Sequence, residues 1–451
     1  MLDITANRQL SGFAARYINA LSLISLHHKS GIVLQNTGLV IEVSCPGLYL
    51  SQLCEILPSL AGTERILCQV IGFKEDRTLI MSYKKAAGIT FGCKVVALDM
   101  FAHTPVGKGY IGRVVDAFGI ALDDQGAIEA DTFMPIHREP INPLHRNAIN
   151  DVFETGIKAI DTTLTLGKGQ RMGLFAGSGV GKSTLLAAIC HRSQSKQQIN
   201  IIALVGERGR EVHEFVHETL GSEGMKNSVV IAATAEQPPL IRAQAVYSAV
   251  AMAEYFSEQG FEVLLIVDSM TRFAMALREI GLAAGEPPTM RGYTSSVLSA
   301  LPAIIERCGN FANRASITGI FSVLTEGDEQ NDPVAETLKA ILDGHIVLSS
   351  ALAQREHYPA IDITRSVSRL FGRLSNVSQK AAVKSIRNVL VRYEENRTLL
   401  EMGLAENKDT QTLRKQYQSC CLFLQQVKDE HFTHSDSLAL LATLLKECQH
   451  D

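Results

Sequence analysis

Residues 171–192 narrow the possible folds sharply. An apolar run, 171–175, leads into Ala176-Gly177-Ser178-Gly179-Val180-Gly181-Lys182-Ser183-Thr184, and a helix-like stretch, 185–192, follows. A strand, a glycine-rich turn and a helix in that order form the phosphate-binding loop of a parallel α/β sheet. Each residue type answers a chemical need. Glycines let backbone N–H groups turn inward around phosphate oxygens. Lys182 reaches the β- and γ-phosphates and the Ser183 hydroxyl ligates Mg2+, while the helix N-terminus presents its positive dipole end. Ala176 stands where the pattern usually has its first glycine, so Gly177, Gly179 and Gly181 are left to shape the cradle. A glycine-rich turn that binds nothing leaves the ordered strand, loop, Gly-Lys-Ser and helix unexplained.

The surroundings extend the same pattern. Between about 151 and 375, apolar strand-like runs at 171–175, 201–205, 263–267 and 317–324 alternate with longer helical stretches such as 240–257. That alternation predicts a mostly parallel, doubly wound α/β sheet. Asp268 ends the run Val263-Leu264-Leu265-Ile266-Val267, the place for a Mg2+-associated carboxylate in a phosphate-loop sheet. Such an acid can also simply cap the next turn. Glu207 follows the 201–205 run in Gly206-Glu207-Arg208-Gly209-Arg210-Glu211. A carboxylate at a strand's C-terminal end can polarise an attacking water and an arginine can steady phosphate oxygens. On composition alone, four charges beside two glycines read as a solvated turn.

The rest of the chain differs in texture. In residues 1–28 apolar positions 10, 13, 14, 17, 18, 21 and 24 follow the three-four spacing of an amphipathic helix. That helix either docks on its own domain or serves as an arm for a partner helix or a membrane surface. Residues 29–98 show short strand-like runs with polar turns, the pattern of a small β-barrel. Residues 99–150 are punctuated by Pro and Gly and read as a connector. Residues 376–451 carry leucine–charge mixtures with few glycines and read as a helical domain.

Composition excludes several classes. The chain has 451 residues, 46% of them hydrophobic and 20% charged, which fits a folded multidomain protein. Its net charge of −4 and its lack of Trp disfavour a nucleic-acid binder. No run of about 18 apolar residues predicts a membrane span, and the first residues lack the basic flank of a signal peptide. Nine cysteines without a CxxC predict reduced thiols in a cytoplasmic chain rather than a metal or disulfide framework.

Taken together, AGSGVGKST, VGERGREV, VDSMTRFAMALREIGLAAGEPP, SITGIFSVLTEGDEQNDP, AILDGHIVLSSALA and HYPAIDITRSVSRL resemble the type III secretion export ATPases, relatives of the catalytic subunits of rotary F- and V-type ATPases. The resemblance spans about residues 105–375. It implies a RecA-like core over 151–375 that binds ATP and Mg2+, with the nucleotide on Gly177 to Thr184. It assigns Lys182 to phosphate and Ser183 and Asp268 to Mg2+, with Glu211 as an outer Mg2+ acid. Glu207 becomes the water-activating glutamate and Arg208 a phosphate contact. Tyr358 matches the aromatic that packs on adenine; the plain alternative is a core tyrosine before a Pro turn. Arg369, with Arg365 as second choice, matches an arginine finger that reaches a neighbouring subunit's site. Asp328, Glu329 and Asp332 match a loop facing a central shaft, and equally fit a solvated turn.

The implied assembly is a homohexamer bound peripherally to an inner-membrane export gate. Its implied partners are a stator-like protein on the N-terminal helix, a central stalk protein, and chaperone–substrate complexes on the C-terminal helices. The resemblance favours a flagellar over an injectisome apparatus, on the Ala-Gly-Ser-Gly-Val stretch. A non-catalytic ring subunit is expected to lack Glu207. An RNA translocase would need a basic, aromatic N-terminal module, which residues 30–95 do not supply. A rotary ATP synthase subunit is the nearest competing enzyme.

Overall fold

The computed structural model describes residues 29–450, apart from 60–63, 86, 99–101, 193–196, 326–331, 402–407 and 429. The amphipathic helix expected over 1–28, and Asp328 and Glu329, lie outside the described residues. The rest forms two compact units: one holds the described residues up to Ala102 with Ile280–Glu286, the other His103–Glu279 and the chain from Pro287 onward.

In the first unit, β1 (Ser30–Asn36), β2 (Ile41–Ser44), β3 (Leu53–Leu57), β4 (Ile66–Lys74), β5 (Arg77–Ser82) and β6 (Lys94–Ala97) close into a barrel of order β1-β2-β5-β4-β3-β6, every pair antiparallel. Alternation along the strands puts Val33, Ile41, Val43, Ile56, Ile80 and Val95 wholly inside. The barrel expected from texture is therefore present. Eight cysteines among the described residues carry free thiols, seven of them buried.

The second unit is built on one eight-stranded sheet. Its strands are β8 (Val114–Val115), β12 (Arg171–Ala176), β13 (Gln198–Val205), β14 (Ser228–Ala233), β15 (Glu262–Asp268), β16 (Ile317–Leu324), β17 (Gly344–Val347) and β18 (Val367–Ser368). The order is β18-β17-β12-β16-β15-β13-β14-β8, parallel throughout except for β18, which runs antiparallel along β17. Strands β12 to β15 are buried almost end to end, as both-faces-covered parallel strands must be. Two small ribbons accompany the sheet: β7 (His103–Val106) with β9 (Thr132–Pro135), and β10 (Val152–Phe153) with β11 (Leu166–Gly167). The 99–150 stretch thus supplies β7, β8 and β9, of which β8 is the sheet's edge beside β14.

Helices Val377–Glu401, Lys408–Leu424 and His434–His450 follow, and their Ile386, Leu413, Phe423 and Leu441 share one apolar core with Ile160 and Leu186. No helix among the described residues is long and apolar enough to cross a membrane.

Helix Pro239–Glu258 is buried on most of its surface and carries an ionic anchor. Glu254 Oε1 and Oε2 accept from Arg307 Nε at 2.9 Å and Nη2 at 2.8 Å, with both residues 2% exposed, and Arg138 reaches Glu254 at 3.3 Å. Removing one partner of a buried pair strands the other's charge. Glu254→Ala is expected to cost about 3–5 kcal/mol, read as a drop in the thermal unfolding midpoint, whereas Glu258→Ala, on the half-exposed end of the same helix, costs well under half of that.

Candidate active site

The glycine-rich loop sits at the carboxyl end of β12, near the middle of the sheet, where open α/β sheets bind ligands. Gly179 (φ 75°) and Gly181 (φ 90°) hold left-handed backbone, which a side chain at either position would strain. Ala176 does not need to be glycine: it is the last residue of β12, fully buried, and its carbonyl accepts from Thr325 N at 3.0 Å. Helix Lys182–Arg192 begins at the loop's end, with Ser178, Ser183 and Thr184 exposed.

Three strand ends then converge. Lys182 Nζ lies 2.5 Å from Asp268 Oδ1, at the end of β15, and 3.4 Å from Glu207 Oε1, just past β13. Ser322, on β16 between β12 and β15, donates to the same Asp268 oxygen at 2.5 Å. Residues far apart in sequence meet because β12, β16, β15 and β13 are neighbours in a parallel sheet and all end on one side. The turn that carries Glu207 is pinned to the adjacent strand end, with Gly206 N donating to Ala233 O and Glu207 O accepting from Ala235 N.

The electrostatics are unequal. Burial works against the Lys182 ammonium, but Asp268 and Glu207 outweigh it and hold its pKa above the ordinary value. Burial pushes the Glu207 carboxyl up; Lys182 pulls it back, and repulsion from Asp268 and a hydrogen bond to Glu211 add to the rise. Glu211 is held below its ordinary range, first by that hydrogen bond from Glu207 and further by the charges of Arg208 and Lys182. The two carboxylates are thus pushed apart, Glu207 up and Glu211 down. The rest of the charge run faces water: Arg208, Arg210 and Glu211 are exposed.

Beside the loop opens a cavity of about 590 Å³ lined by Val180, Leu185, Ala188, Tyr358, Gln426 and Val427, among others. The Tyr358 ring stands over Gly181, where a Cβ would lie 3.6 Å from two ring atoms, and 45% of the residue is exposed. It is a cavity wall rather than a core tyrosine. Gln426 was not singled out from the sequence. Its backbone N donates to Tyr358 O at 3.0 Å, and its side chain accepts from Lys158 N and donates to Gly156 O. Nothing in a polar loop between two helices marks it as part of a cavity formed by residues far earlier in the chain. Arg272 also escaped notice. Its side chain packs against Gly206, where a Cβ would come within 2.8 Å, and its Nε is buried without a hydrogen-bond partner among the described residues.

Arg369 is elsewhere. It follows β18, and its backbone N donates to Asp343 O, at the start of β17 and level with Arg171. Arg171 begins the six-residue β12 whose far end carries the glycine loop. At ~3.3 Å per residue, Arg369 stands about 20 Å along the strand direction from its own chain's loop. Both Arg369 and Arg365 are exposed. Asp332 caps helix Pro333–Ile341, accepting from Val334 N at 3.1 Å, so a local structural task accounts for that acid.

The oxygen donors suit a hard cation: the Ser183 hydroxyl, with the Asp268 and Glu211 carboxylates close by. No group of three His, Cys, Asp or Glu among the described residues forms a protein-only metal cage. That fits Mg2+, which keeps water and substrate phosphate among its ligands.

Comparison with known proteins agrees with this geometry. Residues 156–368 match the ATP synthase alpha/beta family, nucleotide-binding domain. The flagellum-specific ATP synthase of Bacillus subtilis (strain 168) is 42% identical over 95% of this chain and 98% of its own length. The type 3 secretion system ATPase of Xanthomonas euvesicatoria is 41% identical over 85% of this chain and 86% of its own. The assembled ATPase EscN from the enteropathogenic E. coli type III secretion system matches in two structures, one in complex with its central stalk EscO. Their TM-scores are 0.84 and 0.82 at 34% and 33% identity, covering 92% of this chain and 100% of EscN in each. The chain therefore belongs to the family of flagellum-specific ATP synthases and type III secretion ATPases, and it is a nucleotide-binding ATPase of that protein-export machinery.

Proposed function

We infer that the protein hydrolyses Mg2+·ATP at sites shared by neighbouring copies in a hexameric ring, and that turnover releases chaperones from export substrates and unfolds them at a flagellar export gate. The observation that carries this reading is the place of Arg369. About 20 Å from its own loop, it can contribute to phosphate chemistry only in another copy's site. The assembled state of EscN and its complex with a central stalk support a ring and a stalk partner here.

The roles are those the family resemblance implies, and the geometry supports them. Phosphates lie on Gly177, Ser178, Gly179, Val180, Gly181 and Thr184, with the purine against Tyr358. Lys182 leaves the two carboxylates for the β- and γ-phosphates. Losing that cation raises the proton affinity of Glu207, which orients the attacking water and takes its proton as the water oxygen bonds the γ-phosphorus and the ADP oxygen leaves. Arg208, Arg272 and a neighbour's Arg369 steady the equatorial oxygens. Ser183, Asp268 and Glu211 hold the Mg2+, which when bound offsets charge on the phosphates.

Tyr358→Ala removes one ring face, worth about 1 kcal/mol. The KM for ATP is expected to rise about five-fold with kcat nearly unchanged. An unchanged KM would remove Tyr358 from the base site.

The flagellar assignment rests on the Ala-Gly-Ser-Gly-Val loop. Its test is deletion of the chain in its own host. Swimming and hook-filament export are expected to be lost, while effector secretion continues; the reverse pattern assigns it to an injectisome. The 1–28 segment is proposed to bind a stator-like regulator and to help seat the ring peripherally on the membrane. The C-terminal helices are proposed to receive chaperone–substrate complexes.

A further inference from the structure

Arg369 owes its place to a short stretch of chain. Residues 362–366 form a turn tied to the end of β17. The Ser366 hydroxyl donates to Asp362 O at 2.6 Å and accepts from Val347 N at 2.9 Å, and Asp362 Oδ1 accepts from Thr364 N at 3.0 Å and Arg365 N at 3.2 Å. The two residues of β18 follow, opposite His345 and Gly344, and then Arg369 N donates to Asp343 O at 2.9 Å. So short an edge strand is held weakly by its own ladder.

Arg387 reaches this stretch from helix Val377–Glu401. Its Nη2 donates to Ser366 O at 3.2 Å, the carbonyl that leads directly into β18. Ser366 is fully buried, so water cannot take the guanidinium's place. The helix itself is fixed to the core: Gln379 Nε2 donates to Thr162 O at 2.8 Å and Thr165 Oγ1 at 3.0 Å, and Ile386 is buried. Arg387 is partly buried and has no carboxylate partner among the described residues, and its Nε is buried without a hydrogen bond. Burial lowers its pKa, and no acid offsets that cost. A cation kept at such a cost, with one main-chain carbonyl as its target, points to a task at that carbonyl.

We propose that Arg387 is a positioning residue: by holding the Ser366 carbonyl it fixes where β18 starts and hence the point from which Arg369 projects toward the neighbouring copy. This rests on the reading of Arg369 as part of a neighbour's site. Among the described residues the Arg369 guanidinium makes only long contacts, to Lys339 O at 3.5 Å and Ala340 O at 3.3 Å, so its aim is set by its backbone. The link also ties that backbone to the C-terminal helices.

The test is ATP turnover, by phosphate release, of Arg387→Met, which keeps the stem and removes the charge. It is assayed alone and mixed in equal amounts with Glu207→Gln or with Arg369→Ala. Alone, kcat is expected to fall about ten-fold with the KM for ATP within about two-fold of wild type. Arg387→Lys, which restores a donor, is expected to stay within about three-fold of wild-type kcat. Mixing shows on which side of an interface the defect lies. With Glu207→Gln, about a quarter of the interfaces pair the Glu207 of an Arg387→Met chain with an undisturbed finger. Turnover per chain should then rise about two- to three-fold above Arg387→Met alone. With Arg369→Ala, whose chains supply no finger, it should fall to about half. The mirror pattern, a rise with Arg369→Ala and a fall with Glu207→Gln, places Arg387 in its own chain's site and overturns the proposal. A fall with both makes its role general to the fold and overturns it too, as does an Arg387→Met protein with wild-type kcat. An Arg369→Ala protein with wild-type kcat brings down the finger reading itself, and this inference with it.

Discussion

Glu207→Gln is expected to bind ATP as tightly as the wild type and to turn it over about 10²–10⁴ times more slowly, the usual contribution of a positioned base. Glutamine keeps the shape and the oxygen near Lys182, and Lys182 retains its 2.5 Å contact with Asp268, so the loop stays anchored. What is lost is the group that receives the water's proton. The pH profile gives a second readout. Glu207 must be deprotonated to act, and burial places its pKa above the ordinary carboxylate value. Turnover is therefore present above that raised pKa and falls as pH drops through it, on an acid limb displaced toward neutrality. When Lys182 moves to phosphate, the limb shifts further the same way. A Glu207→Gln protein with wild-type kcat, measured by phosphate release, would assign water activation to another group.

Arg369→Ala is expected to lose more, about 10³–10⁵ in kcat, the range for an arginine supplied to phosphoryl transfer from a neighbouring chain. Its fold should be untouched, because among the described residues the exposed guanidinium makes only long contacts, to Lys339 O at 3.5 Å and Ala340 O at 3.3 Å. Nucleotide affinity of the isolated chain should also be unchanged, since the residue lies at the other end of the sheet. Wild-type turnover per chain should rise with protein concentration as interfaces form. Arg365, also exposed and beside the same edge strand, is the control: Arg365→Ala should retain most of the rate.

The chain order of strand, glycine loop and helix was enough to place Lys182; the apolar run before Asp268 made its carboxylate a candidate, whereas Glu207, which composition alone gave to a solvated turn, was picked out only by the family resemblance. In a parallel sheet the end of a strand is also an address in space. The barrel was legible in outline through β1, β2, β4 and β5, short apolar runs flanked by polar turns. Strand β3 reads Leu-Cys-Glu-Ile-Leu, without clean alternation, and β6 has four residues, so neither stood out. Strand β17 is equally short, and β14 is a buried run that periodicity cannot tell from a helix segment.

The nucleotide cavity was half legible. Tyr358 came from a motif, but Gln426 and Val427 come from a loop between C-terminal helices whose position depends on tertiary packing alone. The run at 206–211 shows why composition misleads there. Most of it is the solvated turn its charges suggest, and the one carboxylate that turns inward, Glu207, does so because β13 ends beside β15 and Lys182 waits for it.

Glu207→Gln and Arg369→Ala, each nearly inactive alone, should be mixed in equal amounts and assayed for ATP turnover. If one chain supplies Glu207 and its neighbour Arg369, about a quarter of the interfaces in a randomly mixed ring carry both intact residues. Turnover should then recover to a corresponding fraction of wild type. A mixture as inactive as its components would mean that both residues serve the same chain's site, and an Arg369→Ala protein active by itself at a rate independent of concentration would reduce the enzyme to a self-contained monomer.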